Sequence, residues 1–313
     1  MDFFETILWP LRWLVEVVLA VWHQLFTWIG MDAASGVTWV LSIIGLVLVV
    51  RSALIPVTVR QIRSQRRMMD LAPQMKKVQD KYKGKKDQFS REAMSRETMA
   101  LYKKHGTNPF ASCLPILIQM PIFFSLFYVL RHAAENKPGI GFMDESLTNS
   151  FNQAEIFGAP LKMTFTQGWE SGQWVVVAML GIIMVLMIAS QFFTQLQIMS
   201  KNVSDETKNS SMYRQQRILL YIIPFAFLFS GVAFPLALNI YWFTSNLWTM
   251  GQQFIVIRNM PTPGSEAWRA RQARLKAKGK LTEEELAVEE KRTTDPGQRQ
   301  QPMSAKRAKK KGK

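Results

Sequence analysis

The 313-residue chain is 48% apolar, yet it carries 39 Lys and Arg against 23 Asp and Glu, a formal net charge of +16. The apolar residues fall in blocks of about 20 rather than in short amphipathic stretches, which calls for a lipid solvent and one membrane domain rather than soluble ones. A single cysteine, Cys113, and three scattered histidines, His23, His105 and His132, exclude an internal disulfide and give no metal-ligand spacing, so no metal or other cofactor is expected.

Residues 1–35 read as an N-terminal amphipathic segment. Residues 7–29 are apolar and Trp-rich but include Arg12, Glu16 and His23, which are costly to expose to lipid. An interfacial helix with Trp9, Trp13, Trp22 and Trp28 at the headgroup boundary fits this pattern, and an additional span or signal anchor is the alternative. Five stronger candidate spans follow, at about 36–56, 110–131, 173–195, 218–233 and 235–257. Backbone amides in lipid must bond within their own segment, so all five are expected to be helices. Only Phe234 and Pro235 separate the last two, which makes them an antiparallel hairpin.

The connections give the orientation. The stretch from Val57 to Asn108 holds 14 Lys and Arg against 5 Asp and Glu, whereas His132 to Gly172 holds only Lys137 and Lys162 against five acids. By the positive-inside rule the first is cytoplasmic and the loop 132–172 extracytoplasmic, with the N-terminus outside. Within 60–108, Met68, Leu71, Met75, Val78 and Tyr82 step by alternating threes and fours, a helical seam. The run KGKKD at 83–87 breaks it, and a second helix is expected from about Ser90 to His105, making a cytoplasmic helical hairpin. Residues 258–313 hold 16 basic residues and little apolar material, the composition of a disordered basic tail able to meet RNA, a ribosome or anionic lipid.

Arg51 carries the functional argument. It lies inside the first span, where a central arginine costs about 3 kcal/mol on insertion scales, and none of the five spans contains an Asp or Glu to pair with it. Snorkelling toward the cytoplasm is one relief, and a hydrated cavity open to that side is the other. Ser52, Thr58, Gln119, Ser190, Gln191, Asn239, Thr244, Ser245 and Asn246 supply polar groups for such a cavity, or serve as helix-to-helix contacts. Gln119 stands out because Pro115 and Pro121 flank it and free backbone carbonyls nearby.

The runs ALYKKHGTNPFASCLPILIQMPIFFSLFY (100–128), ALNIYWFTSNLWTMGQQ (237–253) and VVRSALIPVT (49–58) resemble the YidC family of membrane protein insertases, in its shorter Gram-positive-like form without a large extracytoplasmic domain. The resemblance covers roughly residues 39–257. It implies an all-α polytopic membrane protein: five core transmembrane helices around a hydrophilic groove open to the cytoplasm, with a flexible cytoplasmic hairpin. It also implies that Arg51, Gln119 and Trp242 face substrate in that groove, with Tyr241 and Asn246 matching the motif in less defined roles. The expected activity is insertion and folding of nascent membrane proteins rather than bond chemistry, with nascent chains, the Sec translocase, the ribosome and the bilayer as partners. A transporter or channel for an anionic solute is the alternative. The spans hold no carboxylate relay for proton coupling and no visible interrupted repeat, although a uniporter needs neither.

Overall fold

The structure is a computed structural model that describes residues 3–85, 87–106, 114–204, 207–209, 213–214, 217–218, 220–222, 229 and 231–280. Half of the fourth expected span, 218–233, lies outside the described residues, as do Cys113, the side chain of Met68 and the tail beyond residue 280.

The elements in chain order are α1 (Phe3–Ile7), α2 (Trp9–Trp28), α3 (Gly36–Ala53), α4 (Ile55–Asp70), α5 (Ala72–Lys81), α6 (Gln88–Lys104), α7 (Leu114–Ala134), α8 (Glu145–Gln153), β1 (Glu155–Ile156), β2 (Ala159–Pro160), α9 (Phe165–Glu170), α10 (Trp174–Lys201), α11 (Leu236–Asn259) and α12 (Glu266–Ala277). The two short strands pair antiparallel. Three helices among the described residues are long and apolar enough to cross a membrane: α3, α7 from Leu117 onward, and α10. At about 1.5 Å per residue, α11 has the length, but Asn239, Thr244, Ser245, Asn246, Gln252 and Gln253 dilute its apolar content.

Local chemistry sets the boundaries. Ser35 caps α3 by accepting the Val37 amide. Pro121 sits inside α7, and Ser125 Oγ donates to the Pro121 carbonyl at 2.8 Å. The first two amides of α11 donate to the loop, Leu236 to the Met163 carbonyl and Ala237 to the Leu161 carbonyl, both at 2.9 Å. The loop thereby satisfies donors that a helix start leaves open. Asn239 Nδ2 reaches the Gly231, Phe234 and Pro235 carbonyls within 3.1 Å and holds the turn before α11, so it is a structural amide.

The helices α10 and α11 run along one another, α11 also packs on α3, and α2 packs on α3 and α7. One core joins them, with Trp39, Ile43, Leu46, Leu126, Leu180 and Tyr241 fully or almost fully buried. The segment 136–172 covers one end of this bundle, called here the loop end, and the basic segments gather at the other, the basic end.

The polarity of α2 runs opposite to an ordinary surface helix. Arg12, Glu16 and His23 face inward and are at most 2% exposed, while Trp9, Trp13, Leu14, Val21, Leu25 and Trp28 face out. Most of their polar atoms are matched by protein, Arg12 Nε and His23 Nδ1 being buried without a partner among the described residues. Glu16 accepts the Ile140 and Gly141 amides at 3.0 and 2.9 Å. Arg12 meets Glu5 at 3.4 Å and His132 Nδ1 at 3.0 Å, and lies over the Tyr128 ring. His23 Nε2 bonds the Ala33 carbonyl at 2.9 Å and its ring lies against Trp39. The cost expected for these residues in lipid is thus avoided by burial against the loop and the ends of α3 and α7. Gly45 permits the close approach: a Cβ there would overlap the Trp22 ring.

The helical hairpin is α5 against α6, with Lys81 and Tyr82 both bonded to the Glu97 carboxylate, Tyr82 at 2.9 Å. One expectation is corrected. The segment beyond residue 258, read as disordered from its composition, starts with the ordered helix α12. Ser265 caps it by accepting the Trp268 amide, Glu266 pairs with Lys201 at 2.5 Å, and Asn202 Oδ1 accepts the Thr262 amide at 2.8 Å. These anchors lie on α10 and its C-cap, about 60 residues away in sequence, and composition cannot register them.

Candidate functional site: a polar cavity at Arg51

Arg51 sits in the last turn of α3, four residues before the chain re-enters helix as α4 at Ile55 with Pro56 near its start. The guanidinium bonds Ser245 Oγ on α11 from Nε at 3.1 Å and from Nη2 as well. No carboxylate pairs with it among the described residues. A neutral hydroxyl therefore orients the charge without cancelling it, and the side chain remains partly accessible.

Around it lies a cavity of about 130 Å3 between α3, α4, α7 and α11, lined on its polar side by Arg51, Thr58, Gln61, Gln119, Gln252 and Gln253. That is room for a few waters at about 30 Å3 each. Thr58 and Gln61, like Ser245, Thr249 and Gln252, follow helical spacing, so each helix contributes one polar stripe. Gln119 Nε2 donates to Tyr241 Oη at 2.7 Å, and Tyr241 is almost completely buried. Four of the five expected groove residues therefore occupy this neighbourhood in different ways. Arg51 and Gln119 line the cavity, Tyr241 backs Gln119, and Asn246 follows Ser245 with its amide nitrogen buried and without a partner among the described residues.

Trp242 is placed elsewhere. Its ring stacks on Phe123 at 4.8 Å and meets Phe234 edge-on at 5.6 Å, in an aromatic cluster with Phe127 nearer the loop end. It does not line the Arg51 cavity. Gln61, Gln252 and Gln253 were not singled out from the sequence. Gln61 continues the polar stripe past the expected end of the first span, at a position that reads as the beginning of solvent-exposed chain, whereas Gln252 and Gln253 lie inside the fifth and extend the stripe of Ser245 and Thr249.

A larger depression, about 860 Å3, lies at the loop end among Arg131, Glu135, Lys162, Gln167, Glu170 and neighbours. There Lys137 and Arg131 hold the Glu135 carboxyl down to about 2, and Lys162 donates to the Asn152 side-chain oxygen at 3.1 Å. The Arg51 cavity differs in kind, since it holds one uncompensated cation among amides and hydroxyls between apolar helices. Such a place can receive a polar or acidic chain segment that lipid would exclude, and it has no nucleophile or acid–base pair set up for covalent chemistry among the described residues.

Residues 30–263 match the family model described as the 60Kd inner membrane protein. A protein from Tropheryma whipplei strain Twist, described as membrane protein insertase YidC, is 40% identical over 98% of this chain and 97% of its own. Proteins with the same description from Streptomyces avermitilis and Bifidobacterium longum are 43% identical over 84% of this chain and 60% of theirs, and 38% identical over 98% and 96%. A solved structure of an active YidC insertase with its first transmembrane domain resolved aligns at 23% identity and a TM-score of 0.47, over 81% of this chain and 47% of that one.

Proposed function

The chain belongs to the 60Kd inner membrane protein family, that of the YidC insertases, and we propose that it inserts membrane proteins by receiving the polar outer segment of a nascent helix in the cavity at Arg51. The observation that carries this reading is the oriented yet uncompensated guanidinium, held by Ser245 in a polar recess among helices that otherwise face lipid.

The barrier to insertion is the desolvation of the polar segment that must cross, several kcal/mol for each unpaired group. Waters and amides in the cavity replace part of that hydration, and Arg51 attracts acidic substrate residues in a setting where screening is weak. The apolar helix then moves sideways into lipid. Its burial, at roughly 0.8 kcal/mol per CH₂, supplies the driving force without a nucleotide. In this reading the basic end faces the cytoplasm, which the 14 basic residues between Val57 and Asn108 support. The same charge makes a ribosome the proposed partner at that face, and the Sec translocase enters through the family resemblance. Trp242, on α11 toward the loop end, is proposed to act through the aromatic cluster rather than within the cavity.

The test uses liposomes containing only this protein and a small single-span substrate with an acidic outer segment, scored by protease protection. Protection should rise with the protein, fall about tenfold or more in Arg51→Ala, and persist in part in Arg51→Lys, since about 1.4 kcal/mol of attraction corresponds to a factor of ten. Equal protection by wild type, Arg51→Ala and Arg51→Glu would overturn the role of the charge.

A further inference from the structure

Two depressions meet beneath α12 at the basic end. One, about 410 Å3, is lined by Arg258, Asn259, Arg271, Arg274, Leu275 and Lys278, four cations and no carboxylate. The other, about 310 Å3, shares Arg258 and Arg274 and continues over Phe254, Ile257, Ala267 and Ala270, with Gln197 and the mutually paired Lys201 and Glu266 also on its wall. A cationic pole thus passes directly into an apolar strip. Phe254 and the adjacent Ile255 are more than half exposed on a helix that runs beside the apolar α10, so this strip faces acyl chains.

The height of the cleft is fixed by the helices beneath it. The long apolar helix α10 ends at Lys201 and α11 at Asn259, and α12 is tied to both ends. The ties are Lys201 to Glu266, the Thr262 amide to Asn202, and Arg274 Nη2 to the Arg258 carbonyl at 2.8 Å. Where membrane helices end, headgroup phosphates begin, and basic side chains there gain from anionic lipid.

We propose that the cleft between α11 and α12 binds an anionic phospholipid, with its phosphate among Arg258, Arg274 and Lys278 and an acyl chain along Phe254 and Ile257. An RNA backbone would satisfy the cations and leave the apolar strip in water. A lipid satisfies both halves with one molecule, because its charge and its chain are joined and the two depressions are continuous through Arg258 and Arg274. The site does not depend on how substrate uses Arg51, so lipid binding and insertion can fail separately.

The experiment is native mass spectrometry of the full chain released from phosphatidylcholine nanodiscs containing a minor fraction of phosphatidylglycerol, counting retained phosphatidylglycerol. Removing two cations in Arg258→Gln/Lys278→Gln should lower retention roughly tenfold, and Phe254→Gln should lower it several-fold. Truncation after Lys280, which removes nine basic residues of the tail, should change it by less than about twofold, because every residue lining the cleft is retained. Lys278→Gln alone, at an exposed position on the end of α12, reads the same direction without touching the ties beneath the helix. Unchanged retention in both Lys278→Gln and Phe254→Gln would overturn the proposal. So would a tail truncation that loses as much as the double variant. Displacement of the lipid by inorganic phosphate at equal concentration would make it a simple anion site, and displacement by a short single-stranded RNA would make it a nucleic-acid contact.

Discussion

Glu16 is completely buried, and its two carboxylate oxygens each take one amide of the 139–141 turn, so it joins α2 to the loop end through charge-assisted bonds. Replacing it by Ala removes two bonds to a charged acceptor, each worth about 1.5–3 kcal/mol less what water returns at half-buried Ile140 and exposed Gly141. Thermal unfolding in detergent should therefore reveal a loss of roughly 2–4 kcal/mol for Glu16→Ala and a smaller one for Glu16→Gln, which keeps one acceptor. A melting point unchanged in Glu16→Ala would remove the carboxylate from the account of the loop end. Tyr241→Phe makes the opposite case. It frees the Gln119 amide toward a wet cavity where water can replace the phenol, so stability should shift by no more than about 1 kcal/mol. At this scale the sequence is informative where a residue conflicts with its own segment. Arg51 and Gln119 stand out because a charge or an amide interrupts an apolar run. The partnership of Arg51 with Ser245 spans 194 residues, and the stacking of Trp242 on Phe123 joins two helices, so neither leaves a local trace.

Pairs of helices hold together through groups that titrate. The Glu97 carboxyl lies below its usual range because Lys81 and Tyr82 donate to it, and Lys81 is held above its own by the same contact. Asp87, which caps α6 by accepting the Ser90 amide, is likewise held low. A depressed carboxyl contributes stability above its unfolded value near 4.5 and loses it as pH falls through the lower folded value. The raised Lys81 contributes below its usual 10.5 and loses that as pH rises beyond its folded value. The α5–α6 hairpin should accordingly keep one inter-helix distance across neutral pH and open below about pH 4, a change measurable by spin labels on Lys77 and Arg96. An identical distance distribution at pH 3 and pH 7 would show that the clamp does not hold the hairpin. The hairpin is legible in the sequence because its seam is periodic within 15 residues. The helix α2 is less so, since periodicity identifies two faces without saying which one meets protein. Its polar face is the one covered, because the partners of Arg12 and Glu16 include His132 and Ile140, more than 100 residues away.

The molecule as a whole is asymmetric along the bundle axis. At the loop end, α2, the 136–172 segment and the start of α11 share hydrogen bonds that seal the top, including the bond of Trp39 Nε1 to Ser150 and the two α11 amides capped by the loop. At the basic end α3 passes into α4 and the polar stripes of α4 and α11 extend outward, so the cavity at Arg51 has its polar lining on that side. The sequence conveys this asymmetry only through loop charge, which sets orientation, because closure depends on contacts between the long loop and helices far from it in the chain. Water access should follow the same asymmetry. In a Cys113→Ala background, Thr58→Cys and Gln253→Cys, both partly exposed on the cavity lining, should react with a membrane-impermeant maleimide added from the basic side and not from the loop side. Ser125→Cys, completely buried among apolar side chains on α7, should stay unlabelled from both sides. Labelling of Thr58→Cys from the loop side would mean a through-channel, the geometry a solute pathway requires. Labelling confined to the basic side is what a one-ended recess requires, since a polar segment can then enter without the membrane becoming permeable to ions.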